Sequence, residues 1–166
     1  QKILSALKKY EGIWRRMEYK GIFAGDSALV FDDYAHHPTE IAASLAGFRE
    51  KYPRSPIVCV FEPHQASRLK KLFKKFPIAF INADAILLLP TFVVPGRDIN
   101  EKIYTSKKLV SVLTKKYPDK KIIYIADSKK LKSILHSFLQ TTHYKLQTII
   151  VMMGAGPISE LTKTLL

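Results

Sequence analysis

The stretch PIVCVFEPHQASRLKKLF, residues 56–73, decides the fold. Its first six residues, Pro56 to Phe61, are apolar without alternation, the pattern of a strand covered on both faces. A polar segment follows, and then Leu69, Leu72 and Phe73 recur at the spacing of one helix face. A buried strand feeding a helix through a short polar loop is the repeating unit of a parallel α/β sheet.

Outward from this unit the pattern recurs. AILLLP from 85, IIYIA from 122 and TIIVMM from 148 are further continuous apolar runs. Helical spacing is seen at Ile41, Leu45 and Phe48, at Leu69 to Phe76 as one helix, at Leu109, Val112 and Leu113, and at Leu131, Ile134, Leu135 and Phe138. PISELTKTLL supplies a last helix with Pro157 in its first turn. Before the first parallel strand, RRMEYKGIFAGDSALVFDDY (15–34) holds two extended stretches around a turn near Gly25-Asp26. The expected fold is α/β: a Rossmann-like open, mostly parallel sheet flanked by helices, with an N-terminal β-hairpin, forming a single domain over 1–166.

The totals agree with one domain. At 166 residues and 47% hydrophobic, the chain has enough apolar material for a core, since domains of this size bury roughly 70% of the surface their unfolded chains expose. Gln1 rather than Met opens the chain, and QKILSALKKY reads as a helix begun upstream, so a piece of a longer protein is expected. No apolar run approaches the ~20 residues of a membrane span, and the start lacks the pattern of a signal peptide. A cytoplasmic protein without a membrane partner is expected. Cys59, the lone cysteine, sits in a strand run and reads as a small core residue.

The formal charge of +13 raises nucleic acid as a partner, but 21 lysines stand against 6 arginines. The lysines fall in pairs such as Lys70-Lys71, Lys107-Lys108 and Lys120-Lys121 on the polar sides of helical segments. Base reading by bidentate contacts calls for arginine. A solvated lysine-rich surface is expected, and no nucleic acid.

In open α/β sheets ligands collect beyond the carboxyl ends of the strands. That rule selects Asp32–His37, Glu62–Arg68, Thr91–Asp98, Asp127-Ser128 and Gly154–Gly156. In FDDYAHHPTE (31–40) two carboxylates and two imidazoles crowd into six residues. Pro38 and Glu40 suit a helix start, but capping accounts for one polar residue rather than four. Asp33 suits ribose hydroxyls, and His36 or His37 an anion. His64 and Arg68, four apart, can converge on one carboxylate, while Glu62 is ambiguous. Arg15 and Arg16 flank a strand start, so at most one aims at a given site. Metal binding by Asp33, His36, His37 and His64 is the competing chemistry; it lacks a completing carboxylate cluster, and no metal is expected.

Taken in order, RRMEYKG (15–21), DDYAHHPTEI (32–41), FEPHQASR (61–68), VPGRD (94–98) and MGAG (153–156) resemble the C-terminal domain of the Mur ligases over essentially the whole chain. The likeness is strongest to the branch that joins L-alanine to UDP-N-acetylmuramate. Ligases that recycle murein tripeptide share the first motif but typically not the His-plus-Arg form of the second.

The resemblance implies an ATP- and Mg2+-dependent amide ligase: ATP phosphorylates the muramate carboxylate, and the amine of alanine attacks the acyl phosphate. It implies that Arg16 reaches the nucleotide phosphates and serves catalysis, that Asp33 meets the ribose, and that Tyr34 lies beside the nucleotide. His36, His64 and Arg68 form the alanine side. It further implies partner domains of the same parent chain, an N-terminal UDP-binding domain and a central ATPase domain. No G-x-x-x-x-G-K-[ST] occurs in these residues, so the domain alone is expected to be inactive. Two positions depart from the family pattern: Gln65 stands where some members carry a second arginine, and Pro157 where a polar residue is commoner.

Overall fold

The computed structural model describes residues 3–5, 12–23, 27–98, 103–142 and 147–166. The stretch 56–73 folds as its pattern dictates, with strand β3 at Ile57–Phe61 buried along its whole length and a helix from Ala66. The other strands are β1 (Glu18–Ile22), β2 (Leu29–Asp33), β4 (Ala85–Leu88), β5 (Lys121–Tyr124) and β6 (Ile149–Met153). They form one sheet in the order β1-β2-β6-β3-β4-β5. β1 pairs antiparallel with β2, and the remaining four pairings are parallel. The turn expected near Gly25-Asp26 lies outside the described residues, as does most of the opening helical stretch.

The helices are α1 (Pro38–Lys51), α2 (Ala66–Leu72), α3 (Phe76–Ala79), α4 (Ser106–Lys116), α5 (Leu131–Thr142) and α6 (Ile158–Leu165). Side chains alternate across each strand, so the sheet feeds two cores. Phe31, Cys59 and Val151 face α1 to α4 and meet Ile41, Leu45, Phe48, Leu69 and Leu113. Val30, Val60 and Ile150 face α5 and α6 and meet Leu135, Phe138 and Ile158. Burial of this kind, at about 25 cal/mol per Å2 of apolar surface, is the main force holding the layers together. Cys59 is buried, and that burial pushes its thiol well above the ordinary range.

Four expectations are corrected. The single helix over Leu69 to Phe76 is broken into α2, a 3-10 turn at Phe73–Lys75 and α3. Pro77 has no N–H and its ring crowds the carbonyl four residues back, so the α-helix cannot run through. Pro157 is the N-cap of α6, one residue before its first turn. Arg15 and Arg16 precede β1 in a turn, with Arg15 and Met17 at positive φ (53° and 47°). Among the lysine pairs Lys120 is also an exception: its Nζ donates to the carbonyls of Ile81 and Ala83, at 2.6 and 2.7 Å, after α3.

Candidate functional site

The alternating positive φ before β1 turns the two neighbouring arginines in different directions. Arg15 is 3% exposed, and its Nε donates to both oxygens of Asp32 at 3.2 Å. Its Nη2 donates to the carbonyl of Gly154, so one side chain ties the turn, β2 and the end of β6. Burial raises the Asp32 carboxyl above its ordinary value, and Arg15 opposes that rise. Arg16 remains 43% exposed, with its guanidinium 5.6 Å from the centroid of the Tyr34 ring and 3.9 Å from Asp33 Oδ1.

Asp33 closes β2 and is 1% exposed. Its Oδ1 accepts from the Ala35 amide at 2.8 Å, and its Oδ2 accepts from the Met17 amide at 3.0 Å and from the Ser44 hydroxyl at 2.6 Å. A carboxylate has about four acceptor sites, so three are used and one remains. Arg16, Met17, Asp33, Glu40, Ala43 and Ser44 line a recess of about 450 Å3.

The two histidines after β2 part company. His37 is the N-cap of α1: its Nδ1 accepts from the Thr39 amide, and Glu40 accepts from the His37 amide, a reciprocal capping box. Glu40 also accepts from the His36 amide. Burial works to raise the Glu40 carboxyl, but these amides hold it below its usual range. His36 Nδ1 lies 3.1 Å from the Tyr34 carbonyl and 3.4 Å from Glu40, both acceptors, a geometry that suits the tautomer with its N–H at Nδ1.

Beyond β3, the His64 ring stacks on Phe92 with centroids 5.3 Å apart. The segment is held by Gln65 N to Phe92 O at 2.9 Å and Phe92 N to Pro63 O at 2.8 Å. Gln65 takes a φ of 66°, a strained conformation of the kind that gathers at ligand sites. Asp98 ties the VPGRD loop to the start of α2, accepting from the Val94 and Ser67 amides and the Ser67 hydroxyl. Burial, then the charges of Arg68 and His36, push the His64 imidazole below its ordinary value, with Asp98 opposing. Arg68 Nη1 and His64 Nδ1 are buried without a hydrogen-bond partner.

The structure therefore brings the sequence-derived residues onto one arc. Arg16 lies 5.6 Å from Tyr34, the Tyr34 ring 5.4 Å from His36, and the His36 ring 6.3 Å from His64, with Arg68 beyond. Arg68 and His37 also share a recess of about 400 Å3 with Ser67, Lys71 and Leu72. Among the described residues, no three His, Cys, Asp or Glu side chains are grouped to hold a metal ion. Sequence reasoning missed Arg15 as the buried anchor, Ser44 on Asp33, and Phe92 under His64. Ser44 follows Glu40 by four residues, one helical repeat, and that was the available signal for the second; the other two contacts join residues 17 or more apart in sequence.

Fold and rim define the class: a Rossmann-like α/β domain with cations and imidazoles along the carboxyl edge of its sheet. The model of the family described as "Mur ligase, glutamate ligase domain" matches residues 15–156, and the chain belongs to that family. The UDP-N-acetylmuramate--L-alanine ligase of Desulforapulum autotrophicum is 36% identical over 164 residues, covering 99% of this chain and 34% of that protein. The enzyme of the same name from Bdellovibrio bacteriovorus is 37% identical over 150 residues, covering 90% and 30%. The chain thus spans about a third of the length of the curated relatives it matches. Among solved structures, the UDP-N-acetylmuramate-alanine ligase of Thermotoga maritima aligns with a TM-score of 0.69 at 22% identity, over 98% of this chain and 31% of that one. The murein peptide ligase of Psychrobacter arcticus aligns at 0.67 and 24%, over 97% and 31%. These two support the fold.

Proposed function

We propose that this chain is the amino-acid-binding C-terminal domain of a cytoplasmic, ATP- and Mg2+-dependent ligase that joins L-alanine to UDP-N-acetylmuramate. The observation that carries the reading is the pair of buried, unpartnered nitrogens, Arg68 Nη1 and His64 Nδ1, at one place on the rim. A buried donor left unpaired costs about 1–3 kcal/mol, and a planar guanidinium beside an imidazole suits the carboxylate of an amino acid. The names of the relatives at 36% and 37% identity supply the substrates.

The other end of the arc fits a nucleotide. Asp33 keeps one acceptor site for a hydroxyl, and Arg16 is half exposed and only loosely paired, so its charge is free for a phosphate. When bound, ATP supplies the phosphoryl group that activates the muramate carboxylate. The residues of this chain position and screen: Arg68, His64 and His36 take the amino acid, Asp33 and Tyr34 face the nucleotide, and Arg16 faces its phosphates. Holding an amine in near-attack geometry supplies on the order of 7 to 11 kcal/mol of the barrier, and one well-aimed donor to developing charge roughly 3 to 4 kcal/mol. The remaining domains of the parent chain supply the rest of the ATP and UDP sites, so this domain alone forms no amide.

Both nucleotides belong to the cytoplasm, and among the described residues no helix is long and apolar enough to cross a membrane. The exposed lysine pairs serve as solvated surface, without a nucleic-acid partner. Arg68→Ala in the full-length parent tests the reading. The KM for alanine should rise tenfold or more, as expected from loss of a charged hydrogen bond, with the KM for ATP within about twofold. Unchanged alanine dependence removes Arg68 from the site.

A further inference from the structure

Arg68 and His64 are not the only unpartnered groups on this rim. Glu62, the last residue before Pro63 and His64, is 7% exposed, and its Oε2 is the third buried side-chain atom without a hydrogen-bond partner among the described residues. Its surroundings place it against the same wall. A Cβ built on Gly156 would overlap Glu62 Oε2 and sit 3.3 Å from the Phe92 ring, so carboxylate and ring are neighbours across that glycine. On its other side Phe92 carries the stacked His64 ring, centroids 5.3 Å apart. The Glu62 acceptor and the His64 imidazole therefore both border Phe92, and the third unmatched group, Arg68 Nη1, sits on the first turn of α2 four residues beyond His64.

That set is the complement of a zwitterion. A carboxylate with an open oxygen suits an ammonium group, and a guanidinium beside an imidazole suits a carboxylate. We infer that Glu62 Oε2 receives the ammonium group of the incoming amino acid, opposite the carboxylate taken by Arg68 and His64. The inference rests on the functional reading above and adds the residue that recognises the amine.

The groups facing Glu62 leave this task open. Arg15 approaches from the turn before β1 but is occupied by Asp32 and by the carbonyl of Gly154. The Ile158 amide at the start of α6 bonds the carboxylate and holds it in place. Neither satisfies Oε2. Gly154 and Gly156 meet Glu62 with backbone alone and bring no side chain of their own against the carboxylate. Burial pushes the Glu62 carboxyl up to about 7, with the Ile158 amide and Arg15 opposing. Below about pH 7 the group becomes neutral and loses its attraction for ammonium.

The test uses the full-length parent enzyme and separates the two ends of the substrate. L-alaninamide keeps the amine and lacks the carboxylate; propionate keeps the carboxylate and lacks the amine. In Glu62→Gln, inhibition by alaninamide against alanine should weaken by on the order of tenfold, the scale of one charged hydrogen bond. Inhibition by propionate should stay within twofold. The KM for alanine in the wild type should rise as the pH falls through 7, and that rise should be absent from the variant. Equal changes in both inhibitors, or in neither, overturn the inference, since a merely structural role moves both together. A wild type whose ADP release does not depend on alanine overturns the functional reading, and this inference with it, before any variant is compared.

Discussion

Arg15 Nε lies 3.2 Å from each carboxylate oxygen of Asp32, and both side chains are almost wholly buried. The next residue in the chain is half exposed on the rim. Two adjacent arginines thus have separate surroundings, one buried in an ion pair and one exposed on the rim. Arg15→Met should destabilise the fold by about 3–5 kcal/mol, because it leaves a buried carboxylate without its partner. Arg16→Met should cost about 1 kcal/mol or less, as exposed pairs do. Urea denaturation of both variants checks this, and a larger loss for Arg16 would reverse the assignment.

The histidine pair makes a parallel case. His37 caps α1 through Nδ1, whereas the His36 ring stands on the arc between Tyr34 and His64. His37→Ala should cost roughly 1 kcal/mol of stability, the worth of an N-cap, with little effect on the KM for alanine in the parent enzyme. His36→Ala should show the opposite balance. Thermal unfolding and steady-state kinetics on the two variants separate the roles.

Gly154 admits the close approach of two strand ends. A Cβ there would lie 2.8 Å from the Glu62 carbonyl oxygen, a backbone atom with nowhere to yield, and φ is +157°. Gly154→Ala should destabilise by about 1–3 kcal/mol, the usual cost of forced overpacking. A denaturation midpoint equal to that of the wild type would contradict the packing described.

Glu62 carries a pH signature of its own. Burial raises its carboxyl from 4.5 to about 7. A carboxyl raised on folding binds its proton more tightly when folded, so its contribution falls as the pH rises from about 4.5 to 7 and levels off above. Glu62→Gln removes that slope. The stability of the variant relative to the wild type should increase across the window by at most about 3 kcal/mol, from 1.36 kcal/mol per pH unit. Parallel pH profiles of the two unfolding free energies would show that the carboxylate is not desolvated.

The parallel strands were readable because their residues are apolar on both faces, as the wholly buried β3 and β6 show. The rim was readable because FDDYAHHPTE and FEPHQASR spend polar residues where packing needs none. Contacts between distant positions were not. The Arg15 to Asp32 pair spans 17 residues and the Arg15 to Gly154 bond spans 139, and no local periodicity encodes either. The break at Pro77 was written in the sequence, but a regular apolar spacing on both sides of it concealed the interruption.

The sheet order has a consequence for synthesis. β6, last in chain order among the six described strands of this sheet, lies between β2 and β3 and pairs with both. Until Ile149–Met153 leaves the ribosome, the earlier strands have no partner joining the hairpin side to the β3-β4-β5 side. Such late, long-range closure is slow and leaves strand edges open meanwhile. A nascent chain halted before Ile149 should therefore remain sensitive to protease across β2 and β3, acquiring resistance in one step as the final strand inserts.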